Sequence, residues 1–451
     1  MHEQTIKHPF WWQDAPLDQG LQQDLQTESD AVIIGAGYTG LTAAITLAKA
    51  GKSVQVFEKE QPGFGASSRN GGITSGNLAL GVSAAIKKYG KQRATEIFKE
   101  GVTARQHLRE LISTNNIECD YQLTGRFTGA LTTADLDNMS KESELLQSLT
   151  DIELSIVQKN DLNDHIGSAA YVGGIDRADI GHFHPGKFHR GLLLAARKAG
   201  VLVHGETPVT RVDTKHRQAP DKNGLVHVTS SRGTVSAQQV LVATNGYGDD
   251  SNPWIQRRVV PVVSRIVVTE KLSQNLVSSL MPNLRAMGEN RKLYRYFRPS
   301  PDGERIVFGS REPILNNTEE RAIEHIRKGM VDIFPEVKDA VIDYSWGGYV
   351  AFNRASLPLL FEREGLHYAV GYCGSGTVWA PWMGRLAAER MLNKMSTSIR
   401  DIENLQPGDP GYSSVAANAP AAIPLYNGKP WFLPFTLGWY GFEDRRKGRS
   451  S

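Results

Sequence analysis

Cysteine is scarce in this chain: Cys119 and Cys373 are the only two in 451 residues. Two cysteines exclude a disulfide framework and a cysteine metal site, and they suit a reducing compartment. Long apolar runs are missing too, and no stretch approaches the length of a transmembrane helix. The opening residues, MHEQTIKHPFWW, lack the apolar core of a signal peptide. These absences predict a cytoplasmic protein. Net charge is only +3, too small an imbalance to imply a nucleic-acid partner. There is no internal repeat and no low-complexity segment, and no metal is expected. What is present is a globular composition, 40% hydrophobic and 22% charged, over a length that suits two or three interleaved domains.

The most informative stretch runs from Asp30 to Glu58. Ala31 to Ile34 form a short buried strand, followed by the turn Gly35-x-Gly37-x-x-Gly40. A helix is expected from Thr39 to Ala50, with Leu41, Ala44, Ile45 and Leu47 on its apolar face and Gly51 as its stop. A second strand, Ser53 to Phe57, ends at Glu58. This is a complete βαβ dinucleotide fingerprint. Gly35 permits the tight turn, Gly37 lets a pyrophosphate approach the backbone, and Gly40 lets helix and strand pack closely. The helix N-terminus offers N–H groups and a positive dipole end to phosphates. Glu58 can accept hydrogen bonds from ribose hydroxyls and would repel a 2′-phosphate. Next comes the loop Gly63 to Gly72, with four glycines, two serines, Arg69 and Asn70 in ten residues. Such a donor-rich loop can continue along the same cofactor.

Elsewhere the patterning alternates. A helix or helix pair is expected over 83–115, strand over 117–131, helix over 134–150, an irregular loop over 174–185 and helix over 186–199. Strands follow at 202–205 and 207–212, with a hairpin turn around Asp221 to Gly224. Val240 to Gly246 reads as the chain re-entering the cofactor sheet. Val259–Glu270, Leu293–Arg298 and Arg305–Gly309 suggest an antiparallel sheet. An amphipathic helix over 317–334, strands at 344–350 and 367–371, and a helix over 377–393 complete the body. Residues 1–28 form an arm whose aromatics, Phe10, Trp11 and Trp12, are expected to dock on the body. The tail, 401–451, is aromatic, with Trp431, Phe435, Trp439 and Phe442, and ends in Arg445, Arg446, Lys447 and Arg449. It can lie on a membrane surface or pack on the body or a neighbouring subunit. Pro430 and Pro434 favour packing, because they interrupt a long amphipathic helix.

Together the blocks VIIGAGYTGL, VFEKEQPGFGASSRNGG, GHFHPGKFHRGLLLAARKAGV, VLVATNGYG, YSWGGYVA and GYCGSGTVWAPWMGRLAAE resemble the D-amino acid oxidase superfamily of flavoproteins. The nearest branch is that of glycine/sarcosine oxidases and gamma-glutamylputrescine oxidase. The resemblance spans about residues 28 to 396. It implies an α/β fold with a Rossmann-like FAD-binding domain (29–110, 170–250 and 340–400) interleaved with an antiparallel-sheet α+β substrate domain (111–169 and 251–339). It implies FAD at the fingerprint. Gly35, Gly37, Thr39, Gly40, Glu58 and Lys59 would hold the ADP half, and Val209 would meet adenine through its backbone. Ser67, Ser68, Arg69, Asn70, Gly71, Gly72 and Ile73 would line the pyrophosphate and flavin, with Ala243, Thr244, Asn245 and Gly348 beside the cofactor. Gly374, Ser375, Gly376, Thr377 and Val378 would bring a helix N-terminus to the flavin C2 carbonyl, where its dipole stabilises the reduced, anionic ring. Neither cysteine matches a family attachment block, so FAD is expected to be non-covalent.

The resemblance implies hydride removal from the carbon next to an amine nitrogen, giving an imine that water hydrolyses. No second GxGxxG with a following acid occurs, so electrons come from an organic substrate, a small amine or a secondary amino acid, rather than from a nicotinamide. Catalytic candidates are Arg265, His182, Tyr344 and Trp346, with His184 and the 291–298 cluster behind them. Arginine is the better fork for a substrate carboxylate. Reoxidation by O2 would give H2O2. The strand Val262 to Ile266 carries no lysine, which leaves open a dehydrogenase passing electrons to a quinone or a carrier protein. A flavin-binding partner protein without oxidase activity is a third reading.

Overall fold

The computed structural model describes residues 5–19, 23–214, 224–311, 318–395, 404–416 and 419–447. Its first sheet is built on β1 (Glu28–Ile34), with β2 (Val54–Phe57) on one side and β9 (Gly233–Val242) on the other. β6 (Leu202–His204) lies beyond β2 and β16 (Leu366–Val370) beyond β9, all five parallel. β15 (Leu359–Arg363) closes the edge antiparallel, and β7 (Val209–Asp213) and β8 (Val226–Ser230) meander onto β9. Alternate residues of β1 serve opposite faces, as burial on both sides requires. Ala31 and Ile33 pack under α1 (Tyr38–Lys49), α3 (Lys91–Thr114), α5 (Pro185–Lys198) and α9 (Gly376–Met395). Val32 and Ile34 pack under the meander. The expected helix pair is α2 (Val82–Tyr89) and α3, parted at Gly90 by a φ of 80°.

The second sheet has the order β14 (Ile342–Phe352), β10 (Val260–Thr269), β13 (Ile306–Arg311), β12 (Arg295–Pro299), β11 (Ala286–Glu289), β3 (Arg126–Ala130), β5 (Gly173–Arg177) and β4 (Leu154–Val157). It is antiparallel except where β11 meets β3. α8 (Glu319–Ile333) turns Ala322, Ile326, Met330 and Ile333 inward, and the last three pack with Phe297 and Phe308. Thr318 caps its start by accepting from Arg321 N, and Pro335 follows its end. α4 (Thr133–Leu149), α6 (Pro253–Gln256) and α7 (Gln274–Leu280) complete the described body.

Several expectations need correction. Residues 174–177, the start of the expected loop, belong to β5, because Gly173 and Gly174 let β3 and β4 pair on either side of them. β14 falls within the stretch assigned to the cofactor domain, yet it belongs to the second sheet. It pairs along β10 from Val260↔Phe352 to Thr269↔Ile342. The hairpin turn at 221–223 lies outside the described residues, as does Arg449. The tail does form a helix, α10 (Leu433–Arg446). Pro434 sits in its first turn, where the missing N–H costs nothing. Leu433 and Leu437 pack on Val260, Val262 and Tyr426, while Asp444 accepts from the backbone N–H groups of Lys292 and Leu293. Phe435, 76% exposed, and Trp431, Trp439 and Phe442 face outward. Among the described residues no helix is long and apolar enough to cross a membrane.

The N-terminal arm docks as its aromatics predict. Ile6 pairs with β14 through Ile6 N–H to Asp343 O (2.8 Å) and Ser345 N–H to Ile6 O (2.9 Å). Phe10 and Trp11 are buried with Ile266, Val268, Val307, Tyr344 and Trp346. Trp11 is fully buried and its Nε1–H donates to Asn70 O at 2.9 Å. Arg298 lies 5.1 Å over the Trp11 ring, donating from Nη1 to His182 Nδ1 (2.6 Å) and from Nη2 to Phe183 O (2.9 Å). A guanidinium only donates, so His182 Nδ1 is the acceptor and the ring proton sits on Nε2, facing Leu284 O at 3.2 Å. Burial, and then the Arg298 charge, pull the His182 pKa down to about 3.

Replacing Trp11 with alanine should lower unfolding free energy by about 3–5 kcal/mol, read as a shift in denaturant midpoint. His182 generates a pH dependence. Between its unfolded pKa and about 3 the unfolded chain binds a proton that the native ring refuses, so stability falls as pH drops through that window. The slope is about 1.4 kcal/mol per pH unit for this one proton. A His182→Asn variant should lose that share of the slope when unfolding is measured from pH 6 to pH 4.

Candidate functional site

At the C-terminal ends of β1, β2 and β9 the chain leaves a cavity of about 260 Å³. Its lower wall is the turn after β1. Gly35 has a φ of 108°, and a Cβ there would lie 2.9 Å from Ala243 O, so β1 and β9 close only around glycine. A Cβ on Gly37 would lie 2.9 Å from Ser67 Oγ, and one on Gly40 would overlap Gly35 O. The first turn of α1 therefore rises directly from bare backbone. Glu58, directly after β2, accepts from Ala36 N–H (2.9 Å) and Glu60 N–H (3.2 Å). Burial raises its pKa, and these backbone donors partly offset the rise.

The 63–72 loop forms the next wall and is held from three directions. Within the loop, Asn70 Oδ1 accepts from Gly72 N–H (2.8 Å) while its Nδ2 donates to Ala66 O and Ser67 O, both at 3.1 Å. From the arm, Trp12 Nε1–H donates to Ser68 Oγ at 2.8 Å, and the Ser68 hydroxyl donates onward to Gly63 O at 2.6 Å. From β14, Trp346 Nε1–H donates to Arg69 O at 2.8 Å. The Arg69 guanidinium lies against both the Trp12 and Phe64 rings, 4.9 and 4.5 Å from their centres, and donates to Phe64 O and Gly347 O.

The far wall is the turn before α9. Asn245, at a φ of 49°, joins the two sides by accepting from Gly371 N–H at 2.9 Å. Tyr372 donates to Ala369 O, so Thr39 is the donor in the 2.6 Å contact between their hydroxyls. Thr377 Oγ1–H donates to Ile73 O (2.7 Å) and Ser375 Oγ–H to Asn77 O, tying this turn to the segment after the loop.

Of the residues expected at a cofactor, fourteen line this cavity: Gly35, Gly37, Thr39, Glu58, Lys59, Ser67, Asn70, Val209, Ala243, Thr244, Asn245, Gly374, Gly376 and Thr377. Gly40, Ser68, Arg69, Gly71, Gly72, Ile73, Gly348, Ser375 and Val378 are not among the lining residues. The sequence reading missed Tyr38, Tyr247, Tyr349, Tyr372 and Cys373, which also line it. All five fall inside the motif blocks, and only their direction was hidden.

The four catalytic candidates do not line the cavity. His182 is held neutral in the seam described above. Tyr344 accepts from Gln13 Nε2–H and packs edge-on against Phe10. Trp346 braces Arg69. Arg265 pairs with Glu319 at 3.2 Å and donates to Ser345 Oγ. His184 caps α5, its Nδ1 accepting from Lys187 N–H at 3.1 Å. Both cysteines are buried, with thiol pKa values pushed up, to about 12 for Cys119 and about 11 for Cys373. Among the described residues no cluster of three or more histidine, cysteine, aspartate or glutamate side chains could hold a metal.

Known proteins resemble this chain in sequence and in fold. The chain is 33% identical to the probable oxidoreductase OrdL of Haemophilus influenzae, over 81% of this chain and 83% of that one. It is 29% identical to the gamma-glutamylputrescine oxidoreductase of Escherichia coli, over 92% and 93%. The fold superposes on the crystal structure of glycine oxidase from Geobacillus kaustophilus with a TM-score of 0.69 at 19% identity, covering 82% of this chain and 96% of that one. The family model of FAD-dependent oxidoreductases, DAO, matches residues 30–390. The chain belongs to the DAO family of FAD-dependent oxidoreductases, and its cofactor is FAD.

Proposed function

We propose that the cavity holds FAD and that the enzyme oxidises a carbon–nitrogen bond of a small amine or amino acid. The observation that carries the first part is the bare-backbone cradle at Gly35 and Gly37, with the Glu58 carboxylate beside it and the α1 N-terminus above it. The residues fit the cofactor. The α1 N-terminus offers its dipole to phosphates. Glu58 has lone pairs left for ribose hydroxyls, and Val209 lines the adenosine side. Gly374, Gly376 and Thr377 present the α9 N-terminus, whose dipole favours negative charge. The raised thiol pKa values keep Cys119 and Cys373 protonated, in keeping with non-covalent binding.

When bound, FAD supplies the two-electron acceptor chemistry. The protein's share is positioning and exclusion of water: the arm and β14 hold the 63–72 loop rigid, and Tyr349, Val350 and Ala351 of the second sheet close over the cavity. The amine loses two electrons and two protons to become an imine, which water cleaves. The choice of amine rests on the relatives named for gamma-glutamylputrescine and glycine. O2 would take the electrons and two protons, giving H2O2. Transfer to a quinone or carrier protein is the second reading, favoured by the outward aromatic stripe of α10 beside Arg445, Arg446 and Lys447.

Glu58→Ala should weaken FAD binding roughly 10- to 100-fold, the worth of a charge-assisted hydrogen bond. Fluorescence of flavin released on dilution reads this, and acid precipitation should release all flavin from the parent enzyme. Anaerobic bleaching by an amine, followed by one H2O2 per turnover in air, is expected for the oxidase. Bleaching with no peroxide, but with reduction of an artificial quinone, would establish the dehydrogenase instead.

A further inference from the structure

α10 carries apolar side chains on both of its sides. Inward, Leu433 and Leu437 pack on Val260, Val262 and Tyr426, and Phe352 of β14 packs against the same cluster. Phe352 follows Ala351 of the cavity lining. Outward, Phe435, Trp439 and Phe442 recur at helical spacing, so they form one stripe along the helix. Trp431, just before the helix, extends the stripe. Its Nε1–H donates to Leu425 O at 3.1 Å, which keeps Leu425 at the same end. Trp439 and Phe442 pack on each other with ring centres 5.6 Å apart. All five side chains are exposed, Leu425 by 87%. A contiguous apolar patch of this kind marks a site of attachment. The helix is not free to turn the rings inward, because Asp444 holds the backbone N–H groups of Lys292 and Leu293 while Leu433 and Leu437 pin the other face.

The charge around the stripe has one sign. Between Pro420 and Lys447 the only acids are Glu443 and Asp444. Asp444 is buried on its backbone donors, and Glu443 lies 3.9 Å from Lys292 Nζ. The exposed charges that remain are Lys429, Arg445, Arg446 and Lys447, and none of them has an ion pair among the described residues. The whole chain carries only +3, so this is a local concentration of cations. A second copy of the chain does not complement such a face. In a two-fold contact, antiparallel stripes set Arg445, Arg446 and Lys447 against Lys429, and parallel stripes set them against their own counterparts. An anionic lipid surface does complement it. Tryptophan and phenylalanine settle at the level of the headgroups, and cations at the end of the same helix meet the phosphates. Among the described residues no helix is long and apolar enough to span a bilayer, so the contact is with its surface.

We propose that the outward face of α10 docks the enzyme peripherally on an anionic phospholipid bilayer. Trp431, Phe435, Trp439 and Phe442 seat among the headgroups, and Arg445, Arg446 and Lys447 meet the lipid phosphates. The docking needs no turnover, and it holds whichever amine and electron acceptor the flavin serves. It turns the β10–β14 end of the second sheet, on which α10 packs, toward the membrane.

The test mixes the FAD-loaded enzyme with vesicles of phosphatidylcholine, alone or with phosphatidylglycerol in about equal parts, and reads binding by flotation. The parent enzyme should float with the phosphatidylglycerol vesicles and bind phosphatidylcholine alone roughly 10-fold more weakly or worse. Salt should weaken the anionic binding. Phe435→Ser with Trp439→Ser should lower affinity roughly 10-fold or more. Arg445→Gln with Arg446→Gln should lower affinity for the anionic vesicles by a similar factor and leave binding to phosphatidylcholine unchanged. Tryptophan emission should shift to the blue on docking, and the shift should vanish in Trp431→Phe with Trp439→Phe, which still floats. Flavin absorbance and the unfolding midpoint verify each variant, and every substituted side chain is exposed. No flotation at low salt overturns the proposal. So does flotation that Phe435→Ser with Trp439→Ser leaves within about threefold, or an unshifted emission from vesicle-bound enzyme. If the parent enzyme does not float and is a dimer by light scattering that the same serine variant dissociates, the face belongs to a second copy instead.

Discussion

The closeness of α1 to its neighbours is the constraint on which the rest of the molecule depends. A Cβ on Gly40 would overlap Gly35 O, and one on Gly384 of α9 would overlap Thr39 O. Only with these side chains absent can α1 sit against β1 on one side and α9 on the other. That contact brings two helix N-termini to one cavity, one following the turn after β1 and the other following the turn after β16. The positive ends of two dipoles then face the same space, which suits an anionic cofactor.

The walls of this cavity come from segments far apart in the chain. The 63–72 loop carries little apolar surface and has no regular structure beyond a single turn of 3-10 helix. Its order comes from outside. Trp11 and Trp12 reach it from a segment that lies outside the family match, and Trp346 and Gly347 reach it from β14. Each indole N–H meets a loop oxygen, and Arg69 packs against two rings. The arm is thus part of the site's scaffold, and its aromatics are spent on the loop beside the cavity.

Buried charge marks where the two sheets meet. Arg298 is shared between a neutral histidine and a backbone carbonyl, while Arg126 has only a tyrosine hydroxyl. On the outer face of the same sheet, arginines are matched by acids.

Local patterning by itself determined the cofactor half. Glycine spacing, an apolar strand and an acid at the end of the next strand are all within about thirty residues, and each acts through backbone geometry that neighbours in sequence define. That is why Gly35, Gly37, Glu58 and Ser67, which line one cavity, could be grouped without coordinates. α8 was legible for the same reason, through the period of Ile326, Met330 and Ile333, whereas the short helix α7 was not expected. β14 and β5 were misassigned because strand partners are set by register with distant segments, and nothing in YSWGG or GGIDR states which sheet they join. Side-chain direction was equally hidden. Arg265, Tyr344 and Trp346 carry suitable chemistry, but the pleat and the docked arm point them at Glu319, Gln13 and Arg69 O. Which partners a buried side chain meets is decided only by packing in three dimensions, as Arg298 shows in meeting His182 Nδ1 and Phe183 O.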